Sequence, residues 1–218
     1  LVMILLCIPV LFIYFSFFAN AFILDSTGEL TLQNFQFLYQ PIQLSQYTVE
    51  PIGKAFRNTV IFTAIATTLE VTISCMAGYA LARMEFTGKR VISFSLLTLR
   101  LFPGVLLLIG VLYVLLHLGI LNTLTGVIVV AIALRLPGST FIIRNFFAGI
   151  PQDIENSALV DGCNRLTAFF QVIIHMVKPG LASISIFAFM SAWSNYLLFN
   201  VLIFNTKTPV LATYLRVL

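Results

Sequence analysis

The sequence has 218 residues, of which 60% are hydrophobic and only 9% are charged. Soluble domains carry about 25% charged residues, so a water-soluble fold could not bury this much apolar surface. The composition therefore excludes a water-soluble protein and predicts an integral membrane protein. The formal net charge of +4 rests on few residues and does not indicate nucleic-acid binding.

Several apolar segments are long enough to cross a bilayer, since about 20 apolar residues span its hydrocarbon core as a helix. Five spans are predicted, at residues 1–24, 56–82, 91–116, 124–147 and 181–204. The first lacks a basic flank and a small-residue cleavage site, so it is predicted to be a membrane helix and not a signal peptide. The fourth is expected to bend or break near Pro137 and Gly138. The predicted fold is an all-α, polytopic membrane domain covering residues 1–218.

The longest polar interruption between two apolar blocks is the loop at residues 149–179. Pro151 suits the first turn of a helix, where its missing N–H is no loss. Asp153 and Glu155 then fall in that first turn, where the helix dipole favours negative charge. Gly162 is where such a helix is expected to stop, because glycine enters the left-handed cap freely. The loop is therefore predicted to begin with a short, capped helix.

A second helix is predicted later in the same loop, ending at Pro179. Gln171 and His175 would lie on its polar face. Its apolar residues recur at helical spacing: Leu166, Phe169, Phe170, Ile173 and Ile174. This pattern predicts an amphipathic helix at the membrane surface.

Basic residues near the spans predict the orientation of the chain, because they are enriched on the cytoplasmic side. Six lie on the side of the 149–179 loop: Arg83, Lys89, Arg90, Arg144, Arg165 and Lys178. Four lie on the other: Lys54, Arg57, Lys207 and Arg216. The loop is therefore predicted to be cytoplasmic.

Three ionisable residues fall inside predicted spans, where each costs at least about 2.5 kcal/mol if unpaired at the bilayer centre. Arg100 lies nearer the cytoplasmic end and is expected to extend toward the interface. Glu70 and Arg135 lie at similar depth on helices that run the same way. They are predicted to form an intramembrane charge pair, with a structural role favoured over contact with a solute.

The most polar patch of the fifth span contains Trp193, Ser194 and Asn195. Aromatic rings and amides suit sugar recognition, by stacking and by hydrogen bonds to hydroxyl groups. The alternative is helix–helix packing through small and polar groups, which is common in membranes. These three residues are candidates for a translocation path.

The motifs of several chemistries are absent from the sequence. It has no G-x-x-x-x-G-K-[ST] phosphate loop, no nucleophile elbow and no Cys/His metal cluster. His117 and His175 have no second ligand at metal spacing, and the three cysteines indicate no disulfide framework. The chain is therefore predicted to be non-catalytic and to bind no metal or cofactor.

Four segments carry a family resemblance in a shared order. They are Glu155-x-x-x-x-x-Asp161-Gly162 followed by Pro179, the turn Ala82-Arg83-Met84-Glu85-Phe86-Thr87-Gly88-Lys89, Phe102-Pro103 with residues 118–123, and Ala192-Trp193-Ser194-Asn195-Tyr196. Together they resemble permease subunits of bacterial ABC importers over roughly residues 56–214. The carbohydrate-uptake subfamily, which includes the second permease of the maltose importer, is the most similar. The sequence departs from the family pattern at Asn156, Ser157, Cys163 and His175.

The resemblance implies a role for the predicted short helix. It would be a cytoplasmic coupling helix that docks on an ATPase subunit through the residues Glu155, Asn156, Ser157, Ala158, Asp161 and Gly162. The alternative from the residues alone is a capped surface helix with no partner. Family members have six membrane helices, so a sixth span is expected beyond the five visible here.

The resemblance also implies a function. The chain would form half of the path for a carbohydrate in the bacterial cell membrane, with a second permease, two ATPases that bind ATP and magnesium, and an extracytoplasmic solute-binding protein. One alternative is an ABC permease for another solute, such as glycerol phosphate or an amino acid. A different class is an ion-coupled secondary carrier with Glu70 as its ion site.

Overall fold

Up to Arg83, the part of the chain that the structure describes contains two helices, separated by a short region with a 3₁₀ turn and a strand pair. The computed structural model describes residues 2–23, 30–44, 47–49, 51–204 and 209–214. Its first elements are helix α1 (Val2–Asn20), a 3₁₀ turn (Gln33–Leu38), the antiparallel strands β1 (Ile42–Leu44) and β2 (Tyr47–Val49), and helix α2 (Gly53–Arg83). The fold is otherwise helical, as predicted, but the strand pair was not expected.

The second half of the chain is helical, with several breaks. Its elements are α3 (Lys89–Leu99), α4 (Gly104–His117), α5 (Leu124–Ala148), α6 (Gln152–Val160), α7 (Arg165–Ala168), a π-helical turn (Phe169–Ile173), α8 (Ile174–Met176), α9 (Lys178–Trp193), α10 (Tyr196–Leu202) and α11 (Leu211–Tyr214). Leu1, Leu24, Lys207 and Arg216, used in the sequence analysis, lie outside the described residues.

Two helices of the described residues, α2 and α5, are long and apolar enough to cross a membrane alone. The pair α3 and α4 is bent by 109°, and the segment Arg165–Met176 meets α9 at 78°, so the number rises to four if each bent pair is one span. The α5 helix runs unbroken through Pro137, so the predicted break there is wrong.

The predicted third and fifth spans are also interrupted. Residues 91–116 do not form one helix, because the chain turns at Arg100 and restarts after Pro103, whose extended backbone cannot continue a helix. The α9 helix begins at Lys178, earlier than predicted, and ends at Trp193. A new helix, α10, then starts after Asn195. Hydropathy identified both apolar runs but not these changes of direction.

The α2 helix lies at the centre of the fold, because it packs against both α5 and α9. At Gly78 the α2 backbone approaches α5 so closely that a Cβ atom would lie 2.5 Å from Cγ2 of Ile143 and 3.1 Å from the Arg144 nitrogen. At Gly180 a Cβ atom would lie 2.5 Å from the ring of Phe146. These two glycines bring α2 and α9 onto α5.

Apolar side chains cover the outside of the molecule as well as its core. On α1, Leu11, Phe12 and Phe17 are at least 64% exposed, and Tyr113 and Leu106 on α4 are similarly open. Apolar surface of this extent requires a covering phase or partner. Lipid or another membrane subunit supplies that cover.

Loops close one end of the bundle, opposite to α6. Ala55 and Tyr214 are buried there against Phe37, Ile52 and Leu211. Two hydrogen bonds fix the segment before α11 on α2: Nδ2 of Asn58 donates to the Pro209 carbonyl at 2.9 Å, and the Leu211 amide donates to Oγ1 of Thr59 at 2.9 Å. The other end of α2 carries the loop that contains α6.

Candidate coupling site

The α6 helix has the start and the stop that its sequence predicted. Pro151 precedes its first residue, and Asp153 and Glu155 lie in its first turn. Gly162 has a φ of +91°. The Gly162 amide donates to the Leu159 carbonyl at 3.2 Å and the Cys163 amide to the Ala158 carbonyl at 3.0 Å. This is the paired Schellman arrangement that ends a helix at a glycine.

The six residues predicted for ATPase coupling do not share one face of α6. Glu155 and Ala158 are buried against the rest of the chain. Asn156, Ser157, Asp161 and Gly162 are exposed. A partner could therefore contact four of the six directly, whereas Glu155 and Ala158 face the rest of the chain; the coupling role of all six stays a prediction.

The exposed side of α6 has a shallow depression of mixed character. Val160 is 86% exposed, although it is apolar. The depression is lined by Asp153, Asn156, Ser157, Val160 and Asp161. We call these five residues the outer face of α6.

Glu155 attaches the inner side of α6 to the end of α2. The hydroxyl of Tyr79 donates to Oε1 of Glu155 at 2.6 Å, and both groups are buried. The Nε atom of Arg83 lies 3.6 Å from Oε2 of the same carboxylate, with both side chains less than a tenth exposed. Tyr79 and Arg83 are four residues apart, so they lie on the same side of α2. The Glu155 carboxylate thus accepts a hydrogen bond from one residue of α2 and lies beside the positive charge of another.

The surroundings of this carboxylate are aromatic. The ring of Tyr79 lies 4.6 Å from that of Phe169 and 5.6 Å from that of Phe147, both measured between centroids. Arg83 also donates from Nη2 to the Ile150 carbonyl at 2.6 Å, in the connection between α5 and α6. Tyr79 was not among the predicted site residues, although its position four residues before Arg83, on the same side of a predicted helix, was a usable signal.

The predicted amphipathic helix after α6 is only partly regular. Phe169 and Ile173 are buried, but Leu166 is 68% and Phe170 56% exposed. A π-helical turn occupies Phe169–Ile173 and shifts the later residues around the axis. The predicted helix is therefore interrupted, and its apolar residues divide between a buried side and an exposed side; its place at a membrane surface stays a prediction.

Glu70 and Arg135 lie together between α2 and α5. The Arg135 Nε atom is 3.1 Å from Oε2 of Glu70, and the Glu70 residue is 1% exposed. Ser139, one turn along α5, donates to the other carboxylate oxygen at 2.6 Å. The Nε–H of Arg135 itself donates to the Ala131 carbonyl at 3.1 Å. The pair is thus buried and further supported by a hydroxyl group.

Arg100 is exposed and also lies beside α5, and its predicted extension toward the interface stays a prediction. It lies at the bend between α3 and α4, and its guanidinium would lie 3.7 to 4.0 Å from a Cβ atom on Gly138 of α5. Gly138 follows Arg135 by three residues. A second cation therefore lies within one turn of the charge pair.

The residues proposed for the translocation path surround the break between α9 and α10. Trp193 is half-buried, stacked on Phe189 at 5.7 Å and edge-on to Phe56 at 6.3 Å. Ser194 is exposed and donates to the Met190 carbonyl at 2.7 Å. Asn195 caps α10, accepting from the Leu198 amide at 3.3 Å. Capping explains Asn195, a backbone hydrogen bond satisfies Ser194, and contact of the three residues with a solute stays a prediction.

Metal-ligating residues do not cluster in the part of the chain that the structure describes. No group of three His, Cys, Asp or Glu side chains there could hold an ion. His175 and Glu155 thus have no place in a metal centre within those ranges.

These observations define a class: a multi-pass helical membrane protein whose longest loop presents a two-faced helix. Residues 70–215 match the family of inner membrane components of binding-protein-dependent transport systems. The chain belongs to this family.

Two named relatives are similar to this chain in sequence. A diacetylchitobiose uptake system permease protein of Streptomyces coelicolor is 35% identical over 199 residues, covering 89% of this chain and 64% of the relative. A sulfoquinovosyl glycerol transport system permease protein of Agrobacterium fabrum is 32% identical over 194 residues, covering 87% and 67%. The chain thus spans about two thirds of the length of these curated relatives.

The fold is also that of a solved transporter. A chain in the crystal structure of a bacterial ABC transporter involved in import of the acidic polysaccharide alginate superposes with a TM-score of 0.66 at 24% identity. The match covers 73% of this chain and 56% of the other. The match shows that the two chains share a fold.

Proposed function

We propose that this chain is a membrane-spanning permease subunit of an ATP-driven importer for a carbohydrate. It would form half of the translocation path and would itself be non-catalytic. ATP and magnesium would bind to two partner ATPases on the cytoplasmic side. A second permease and an extracytoplasmic solute-binding protein would complete the assembly in the bacterial cell membrane.

The observation that carries this proposal is the outer face of α6. A short helix is held against the bundle by its inner side and leaves a polar face with one exposed valine open to a partner. Val160 gives this face an apolar centre, which is typical of a protein-binding surface with a polar rim. We propose that the face inserts into a groove of an ATPase, so that movement of the ATPase displaces α6.

A carbohydrate is the favoured solute class for two reasons. The diacetylchitobiose and sulfoquinovosyl glycerol permeases are named for sugars or sugar glycosides. The half-buried Trp193 stacks on Phe189, and such aromatic platforms suit the apolar faces of sugar rings. The alternative is a permease for another solute, such as glycerol phosphate or an amino acid.

The ion-coupled carrier is disfavoured by the surroundings of Glu70. Its carboxylate is already held by Arg135 and Ser139, so little of its charge is free to bind an ion. A carrier also needs no docking helix, whereas the exposed outer face of α6 supports the proposal of one.

Substitution of Val160 tests the proposed docking directly. Val160→Arg places a charge on a side chain that is 86% exposed, so it should leave the isolated permease stable. We expect it to reduce co-purification of the ATPase at least about tenfold, because an unpaired charge would be buried at the interface. Leu32→Arg is the matched control, since Leu32 is 67% exposed near the opposite end of α2.

The proposal fails if the wild-type chain, expressed with its genomic neighbours, co-purifies with no ATPase. Docking by the outer face fails separately if Val160→Arg and Leu32→Arg retain the ATPase equally well.

A further inference from the structure

We propose that Tyr79 and Arg83 of α2 are positioning residues that carry the displacement of α6 into the membrane helices. This inference rests on the proposed function, since it assumes that an ATPase moves α6. It adds the route by which that movement reaches the bundle. The route is a side-chain connection between α6 and α2, made at the carboxylate of Glu155.

The first step is the strength of this connection. Glu155 is 6% exposed, and its two carboxylate oxygens are directed at Tyr79 and Arg83. A buried carboxylate separated from both partners would lose its hydrogen bond and its counter-charge in an apolar, aromatic environment. Glu155 therefore keeps these partners when α6 moves, and α2 follows.

The second step concerns the other connections from α6 to the bundle, which run through α7 and the π-helical turn on one side and through residues 149–151 on the other. Between α6 and α9 the chain includes the π-helical turn Phe169–Ile173 and a 78° bend at Val177. Such irregular connections absorb displacement by changing their own dihedral angles. The connection to α5 is short, and Arg83 also holds it at the Ile150 carbonyl. Arg83 thus touches both the start of the loop and α6.

The third step is the position of α2. It packs on α5 and on α9, so a displacement of its end is passed to both. Tyr79 lies beside Gly78, where the α2 backbone approaches α5 closely. Packed helices at such a contact move together as a rigid body. The Glu155 connection therefore joins α6 to the helix best placed to move the whole bundle.

The experiment uses the assembled complex with its ATPase and measures hydrogen–deuterium exchange with and without ATP and vanadate. This readout needs no knowledge of the solute. In the wild-type complex, nucleotide should change exchange in the α6 peptide and in peptides covering the second half of α2. In Tyr79→Phe and Arg83→Gln, the change in α6 should remain while the change in α2 falls about tenfold, as expected for loss of a charge-assisted hydrogen bond.

Two further variants separate transmission from stability. Tyr113→Phe removes the same hydroxyl from a tyrosine that is 71% exposed, and it should behave as wild type. Arg83→Lys keeps the charge and should retain at least half of the nucleotide-dependent change in α2. A merely structural anchor would alter exchange equally in both nucleotide states and would leave their difference unchanged.

The outcomes distinguish this inference from the proposed function. If the ATPase does not co-purify, or nucleotide leaves α6 unchanged in the wild-type complex, the proposed function is at fault. The inference is overturned by a different result: nucleotide changes exchange in α6, and the variants Tyr79→Phe and Arg83→Gln still show the full wild-type change in α2. The connection at Glu155 would then not be the route.

Discussion

Arg135 on α5 lies 3.1 Å, Nε to Oε2, from Glu70 on α2, and Ser139 donates to the other oxygen of the same carboxylate. Both charged residues come from the middle of long apolar helices. Each side chain therefore depends on the other, because nothing in the hydrocarbon core replaces a lost partner.

We expect that dependence to appear as strong coupling between substitutions. Glu70→Gln or Arg135→Gln alone should destabilise the protein by about 3–5 kcal/mol, since each leaves a buried charge without its partner. The double variant should recover a large part of the loss. Thermal unfolding of the detergent-purified chain measures this, with the exposed Arg90→Gln as the control. Additive losses in the double variant would contradict the pairing.

The close contact of α2 and α5 at Gly78 predicts a steric effect. A methyl group there would meet Ile143 and the Arg144 backbone, so Gly78→Ala should cost about 1–3 kcal/mol. Gly110→Ala is a matched control, because a Cβ atom at Gly110 meets nothing within 4 Å and alanine favours helix. The unfolding temperature of Gly78→Ala should fall below that of the wild type, and that of Gly110→Ala should not. Equal stability would show that the helices separate at no cost.

The left-handed backbone at Gly162 predicts a local effect on α6. Gly162→Ala forces a side chain into φ +91° and should cost about 1–2 kcal/mol, loosening the end of the outer face and weakening ATPase binding. Gly88 has the same φ but precedes α3, so Gly88→Ala should carry a similar strain and leave ATPase binding unchanged. Titration of each variant with the ATPase measures the two binding affinities that are compared. A loss of binding in both would point to general unfolding.

The break between α9 and α10 predicts a nucleotide-dependent change of access. Ser194 is exposed and lies beside Trp193. If it faces the path, a cysteine at position 194 should react with a water-soluble maleimide at a rate that changes on ATP addition to the assembled complex. The chain without its ATPase serves as the control and should not respond. A cysteine that stays inert in every nucleotide state would remove Ser194 from the path.

Local signals predicted the parts of the fold that depend on neighbouring residues. Pro151 and Gly162 predicted both ends of α6, because a helix start and a helix stop depend on backbone chemistry within one turn. Charge and depth alone were enough to bring Glu70 and Arg135 together. The apolar runs of α2 and α5 were likewise evident.

Distant contacts and changes of direction were not predictable in the same way. Glu155 was predicted only to lie in the first turn of a helix, because its partner Tyr79 is 76 residues away and its burial depends on where α2 ends. The 109° bend after Arg100 leaves no mark in hydropathy, which averages over a window. The π-helical turn at Phe169 rotates the later residues without changing their composition.

The attachment of residues 209–211 to Asn58 and Thr59 has a consequence for biosynthesis. The partners are separated by 151 and 152 positions, so the start of α2 meets them only after almost the whole described chain has been made. Until then, Thr59 has only the Ala55 carbonyl of its own helix as a partner, and Asn58 lacks the Pro209 carbonyl. Closure of this end of the bundle is therefore a late event in biosynthesis, because residues 209–211 must be made before they can reach the start of α2.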